Sequence, residues 1–191
     1  MENTRIIGIS GSMRSGKTTL AHRLRDHIPK SQIFSFADEV RREARQAFCD
    51  TPEAKAAWDK MLASDKEKLR PVLQAWGALK RKLYGADYWV KKTLKAIEQS
   101  AYDFAIIDDV RYFNEKRYVE NRGVCIRLES NRYDLFERGA TLEALAHESE
   151  KDLNHTHFDR HINTSDLDEY DTFIEALEQI KVKGVFDGRL E

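Results

Sequence analysis

The eight residues Gly11-Ser12-Met13-Arg14-Ser15-Gly16-Lys17-Thr18 set two glycines, a lysine and a hydroxyl in a complete G-x-x-x-x-G-K-[ST] spacing. That spacing suits a polyphosphate. Glycines let backbone N–H groups face inward at a helix N-terminus, where they and the helix dipole attract an anion. Lys17 is expected to reach the β- and γ-phosphates and Thr18 to offer its hydroxyl to Mg²⁺, with Thr19 bonding the α-phosphate. Gly11, Ser12, Met13, Arg14, Ser15, Gly16, Lys17, Thr18 and Thr19 are therefore the expected contacts of ATP. The surroundings agree, because the apolar run Arg5 to Ile9 precedes the loop and a helical pattern with Leu20, Ala21 and Leu24 follows it.

Phosphoryl transfer at such a loop also needs a carboxylate at the end of a neighbouring strand, holding the metal through its water shell. Ala105-Ile106-Ile107-Asp108-Asp109 supplies two, and Asp108 and Asp109 are both candidates. Either one taken singly has the alternative role of capping the next turn. Arg111 follows at once, either to neutralise a transferring phosphate or to pair with an aspartate. An Asn-Lys-x-Asp guanine loop is absent and the helices are too few for a motor, which leaves a small-molecule kinase as the expectation. An alcohol acceptor requires a base, whereas a monophosphate already carries anionic oxygens at neutral pH and requires arginines instead. Arg41, Arg42, Arg45, Arg70, Arg81, Arg111, Arg132 and Arg138 fall in segments able to border a cleft. Of these, Arg41, Arg81, Arg111, Arg132 and Arg138 are the phosphate candidates, the rest reading as solvated helix charges.

The elements that must position these groups alternate. Apolar runs rich in β-branched residues at Arg5 to Ile9, Gln32 to Phe36, Phe104 to Ile107 and Val124 to Leu128, with a short fifth around Ile162, read as strands. Helical patterns occupy Lys17 to His27, Asp38 to Phe48, Leu69 to Lys82, Tyr88 to Gln99, Glu115 to Asn121 and Leu167 to Lys181. This alternation predicts an α/β chain of the P-loop NTPase class: a parallel five-stranded sheet with helices on both faces, its ligands at the carboxyl ends of the strands. Thr51 to Lys68 is charged and helix-permissive without a firm period, and is expected to be an insertion over the site.

With 191 residues and a formal charge of -1, the chain is expected to form one domain without a nucleic-acid coat. No stretch reaches the roughly 20 apolar residues that cross a bilayer, and the first five residues lack the plan of a signal peptide, so a cytoplasmic protein with no membrane partner is expected. Cys49 and Cys125 are far apart and expected to be reduced. His147, His155, His157 and His161 cluster, but among polar residues and without a nearby cysteine, which disfavours zinc.

Several stretches together resemble the deoxynucleoside monophosphate kinases of bacteriophages and their bacterial relatives. They are Gly11 to Thr19; Ser35-Phe36-Ala37-Asp38; Leu73-Gln74-Ala75-Trp76-Gly77 with Arg81 and Asp87-Tyr88-Trp89-Val90; Ile107-Asp108-Asp109-Val110-Arg111-Tyr112-Phe113-Asn114-Glu115; and His147-Glu148-Ser149-Glu150 with Ile162-Asn163. The resemblance implies transfer of the γ-phosphoryl of ATP to a nucleoside or deoxynucleoside monophosphate, with Mg²⁺. It implies an acceptor segment at about 36–90, where Ala37, Asp38, Arg41, Gln74, Gly77, Arg81 and Trp89 would meet the acceptor together with Asp109 and Glu150, and where Trp76 or Trp89 either stacks on its base or is buried in the core. It further implies a lid at about 132–150 that brings Arg132 and Arg138 to the phosphates, joining Lys17 and Arg111 as catalytic groups. Asn163 and Thr164 would lie by the adenine, although an Asn-Thr-Ser turn forms without a ligand. Relatives of this kind include monomers and homodimers, and a phage enzyme would act in its host's cytoplasm. The resemblance extends more weakly to animal phosphomevalonate kinases and to dephospho-coenzyme A kinases. An ATP-binding switch without catalysis is a further reading of the loop alone.

Overall fold

The computed structural model describes residues 4–142, 145, 152, 153, 156–158 and 160–186. Five strands form a single sheet in the order β2-β3-β1-β4-β5: β1 (Arg5–Gly11), β2 (Ser31–Phe34), β3 (Phe104–Val110), β4 (Gly123–Glu129) and β5 (His161–Asn163). Every pairing is parallel, as expected of β-branched strands separated by helices. The strand after β1 is laid two places to one side and β4 on the other, so the chain switches direction at β1. Crevices at such switch points open beyond the carboxyl ends of the strands.

Residues 1–34 and 96–191 form one compact unit. Its core is a sandwich of the sheet with α1 (Lys17–His27) and the last helix, α8 (Glu169–Val182). Ile7, Ile9, Ile106, Ile126, Leu128 and Ile162 are buried against Leu20 and Leu24 of α1 and Phe173, Leu177 and Ile180 of α8. Alternate residues of β1 point to the other face, where α6 (Phe113–Glu120) lies so close that a Cβ on Gly8 would stand 2.6 Å from a Val119 methyl. Helices thus cover both faces. A short helix, α7 (Arg132–Glu137), follows β4. The last helix starts two residues later than the apolar stripe suggests, because Asp168 caps it, accepting from the N–H groups of Tyr170 and Asp171 at 2.7 and 2.8 Å.

Residues 35–95 form the second compact unit. It consists of α2 (Phe36–Phe48), α3 (Pro52–Ser64), α4 (Lys66–Tyr84) and most of α5 (Tyr88–Glu98). Phe36 begins α2 rather than ending β2. The expected insertion, Thr51 to Lys68, is in fact α3 and the first turn of α4. Its start signal is local: the Thr51 hydroxyl accepts from the Ala54 N–H at 3.1 Å and Pro52 takes the first helical position, where no N–H is needed. Trp58 of α3 and Leu69 of α4 then bury themselves with Ala44 of α2 and Cys49 just after it.

Candidate functional site

The loop between β1 and α1 is built for close approach of backbone to ligand. Gly11 has φ +145°, and a Cβ there would stand 2.6 Å from both the Leu128 carbonyl oxygen and Ser15 Oγ. Gly16 has φ +93° and caps α1 with no side chain over the helix end and no acid in its first turn. The first-turn N–H groups of α1 therefore meet no capping side chain. Lys17 folds back over the loop, its ammonium donating to the carbonyl oxygens of Gly11 and Ser12 at 2.8 and 2.7 Å.

β3 delivers the carboxylates beside this loop. Its register against β1 shifts between Gly8, opposite Ile107, and Ser10, opposite Val110, so that Asp108 and Asp109 occupy the irregular step. There the Thr18 hydroxyl donates to Asp108 Oδ2 at 3.1 Å. Glu115 secures the turn that follows: buried, it accepts from the backbone N–H groups of Arg111 and Tyr112 at 2.8 and 3.0 Å. Asp152 accepts from the next one, Phe113, at 2.8 Å. The capping role of Glu115 was legible in principle, since a glutamate at the third helical position is a capping-box signal.

A cavity of about 640 Å³ opens above the loop, within the usual range for small-molecule sites. Arg14, Ser15, Gly16, Lys17, Thr18 and Thr19 line it from one side and Arg138, Thr164, Leu167 and the start of α8 from the other. Leu167, Asp168 and Thr172 carried no sequence signal of their own; the packing of α8 on α1 brings them there. Arg138 donates to the Thr164 carbonyl at 3.1 Å and to Ser130 Oγ at 3.4 Å. Of the two residues expected by the adenine, Thr164 is on the wall. The Asn163 side chain is occupied in its own turn, donating to Asp166 at 2.8 Å and accepting from the Ser165 N–H at 3.1 Å. The Arg132 side chain and Glu150 lie outside the described residues, as do residues 143, 144 and 146–149 of the expected lid.

Ala37, Asp38, Arg41, Gln74, Gly77, Arg81 and Trp89 all belong to the second unit. Trp89 is only 1% exposed and its indole N–H donates to the Gly77 carbonyl at 3.0 Å, so it is a core residue of α5 and offers no face for a base. Arg41 pairs with Asp38 at 2.5 Å, Arg42 with Glu39 at 2.5 Å, Arg70 with Glu67 at 2.9 Å and Arg45 with Asp59 at 2.6 Å. The unit is organised around Glu43, which forms an ion pair with Lys80 at 2.8 Å and accepts from the Tyr88 hydroxyl at 2.7 Å and from Lys92. Burial pushes that carboxyl up, but the three donors outweigh it and hold its pKa down to about 2. Cys49 and Cys125 are buried free thiols, the latter pushed up by burial. Among the described residues no group of three or more His, Cys, Asp or Glu is arranged to hold a metal; His161 pairs with Glu129 at 3.2 Å, and His147 and His155 lie outside them.

No family model matches the chain, and no curated protein does. Solved structures do. TT1252 from Thermus thermophilus superposes at a TM-score of 0.57 with 16% identity, over 94% of this chain and 97% of that one. Shikimate kinase from Aquifex aeolicus gives 0.53 and 14%, over 94% and 98%, and a gluconokinase from Sinorhizobium meliloti 0.50 and 12%, over 97% of each. This is the P-loop kinase fold.

Within a P-loop kinase fold, the residues present fit a triphosphate and its magnesium. Ser15 Oγ is buried and without a hydrogen-bond partner among the described residues, α1 has no side-chain cap, and an ammonium stands in the loop. An oxyanion placed there would satisfy all three. Thr18 and Asp108 offer hard oxygen donors of the kind Mg²⁺ takes, with phosphate oxygens and water completing the shell.

Proposed function

We propose that this chain is an ATP-dependent phosphotransferase whose acceptor is a nucleoside or deoxynucleoside monophosphate. The observation that carries the reading is the hydrogen bond between Thr18 and Asp108 beside Lys17. It joins the phosphate loop to the carboxylate of β3 in one constellation, as metal-assisted phosphoryl transfer requires. Magnesium would supply neutralisation of the phosphate charge. An acceptor phosphate oxygen forms the new bond to the γ-phosphorus as the bond to the β,γ-bridging oxygen breaks, and ADP leaves. Lys17 and Arg138 hold the charge of the migrating group, and Arg111 and Arg132 are assigned the same task.

The monophosphate acceptor is supported by the second unit. Residues 35–95 carry fourteen Lys and Arg against nine Asp and Glu, in a chain whose overall charge is -1. A surplus of cations attracts an anionic acceptor. Asp38, Arg41, Gln74 and Arg81 are its proposed contacts. The protein is proposed to act as an enzyme of nucleotide metabolism in the cytoplasm, the acceptor segment and lid being parts of one kinase.

The test is ADP release from Mg-ATP in the presence of each nucleoside and deoxynucleoside monophosphate in turn. One or several should raise the rate far above the ATP-only background. A background unmoved by the whole panel, but raised by phosphomevalonate or dephospho-coenzyme A, would overturn the acceptor assignment. ATP binding with no acceptor of any kind would favour a switch protein.

A further inference from the structure

The turn after β3 carries three consecutive backbone N–H groups, those of Arg111, Tyr112 and Phe113, and each donates to a carboxylate. Arg111 and Tyr112 share one oxygen, Oε2 of Glu115, at 2.8 and 3.0 Å. Phe113 donates to Oδ2 of Asp152 at 2.8 Å, a residue 39 positions further along the chain. Glu115 belongs to α6 itself and shapes the turn from within, whereas Asp152 ties it to a separate stretch of chain. That stretch is anchored. Leu153 and Phe158 are buried, and the Thr156 N–H donates to the Leu153 carbonyl at 3.2 Å. The Phe158 ring is approached by the Lys116 ammonium at 4.8 Å and by the Arg127 guanidinium at 5.6 Å. Arg127 in turn donates at 3.2 Å to the hydroxyl of Ser10, the residue directly ahead of the phosphate loop. Asp152 itself is exposed, and water can serve the first N–H of a helix, so its bond to Phe113 adds little to stability. Its consequence is positional.

We propose that Asp152 is a positioning residue for the transfer: it holds the turn after β3, and through it Arg111, against the stretch of chain that leads into β5. The proposal rests on the phosphotransferase reading above, because Arg111 is there assigned the charge of the migrating group. Displacing such a group slightly from its working position slows the reaction while leaving the fold intact.

With the monophosphate that gives the fastest ADP release as acceptor, Asp152→Ala should lower kcat by about tenfold. Melting temperature and affinity for a non-hydrolysable ATP analogue with Mg²⁺ should change little. Asp152→Asn, whose amide oxygen accepts the same hydrogen bond, should recover most of the rate. Because Asp152 acts through the turn, adding Asp152→Ala to Arg111→Ala should cost less than about twofold further. A kcat in Asp152→Ala within about twofold of wild type would overturn the proposal, as would full additivity with Arg111→Ala, or an Asp152→Asn rate no better than that of Asp152→Ala. Amide hydrogen exchange needs no acceptor: Asp152→Ala should speed exchange at Phe113 by about tenfold and leave α1 unchanged, and unaltered exchange at Phe113 would sink the proposal. Failure of the whole panel in wild type would reject the kinase reading, while the hold of Asp152 on the turn is judged by exchange alone.

Discussion

Lys17 spends its hydrogen bonds on two carbonyls of its own loop, and these are interactions a phosphate replaces rather than ones that hold the fold. Lys17→Ala is accordingly expected to keep its circular dichroism and melting temperature while kcat falls by about 10²-fold or more. Thr18 is a sharper probe of the metal. Its hydroxyl reaches Asp108 at 3.1 Å, so Thr18→Val should raise the Mg²⁺ concentration that supports half-maximal turnover by about tenfold or more. An unchanged magnesium midpoint would dissociate the Thr18 and Asp108 pair from the metal. Much of this was legible in the residues themselves, because G-x-x-x-x-G-K-T dictates its own geometry. Which of Asp108 and Asp109 meets Thr18 was not, since both sit at the register shift between β1 and β3, which no side-chain pattern announces.

At the scale of elements, two glutamates, Glu115 buried and Glu43 half-buried, organise their surroundings in opposite settings. Glu115 serves backbone: two N–H groups at the start of α6 depend on it, and through them the turn that follows Asp108 and Asp109. Glu115→Ala should cost about 1–2 kcal/mol, read as a lower urea midpoint at unchanged slope, and Glu115→Gln should recover part of it. Glu43 serves charge. Its carboxyl lies at about 2 instead of its ordinary 4.5, so its contribution to stability is fully present above about pH 4.5 and disappears as pH falls through 2. Trp58, Trp76 and Trp89, the three tryptophans of the chain, all lie within residues 35–95, so their fluorescence reports on that unit. Glu43→Gln should flatten the acid limb of the fluorescence-detected stability profile and lower stability at neutral pH by roughly 1–3 kcal/mol. A profile parallel to wild type between pH 2 and 4.5 would remove Glu43 from this role. Strands were readable because β-branched runs between helices leave few alternatives. α3 reads only as helix-permissive although Thr51-Pro52 is a start signal, because its sequence has no strong apolar stripe and only Trp58 of it is buried.

Across the whole molecule, charge is divided by unit. Residues 35–95 carry fourteen basic and nine acidic residues, the rest of the chain eighteen and twenty-four. Overall composition hides this, since the sum is close to zero; only the boundaries of the units reveal it. If the basic surplus draws in the acceptor, raising KCl from about 50 to about 500 mM should increase KM for the monophosphate several-fold with little change in kcat. A KM indifferent to salt would assign acceptor binding to short-range contacts alone. Part of the lining of the 640 Å³ cavity was likewise beyond sequence, because Leu167, Asp168 and Thr172 arrive through the packing of α8 rather than through any motif. The most direct test of the account follows the phosphoryl group itself: ATP labelled on its γ-phosphate, magnesium, and each monophosphate in turn, with products separated by chromatography. The account predicts label in a nucleoside or deoxynucleoside diphosphate. Label that appears only as inorganic phosphate, or stays in ATP across the whole panel, would contradict it.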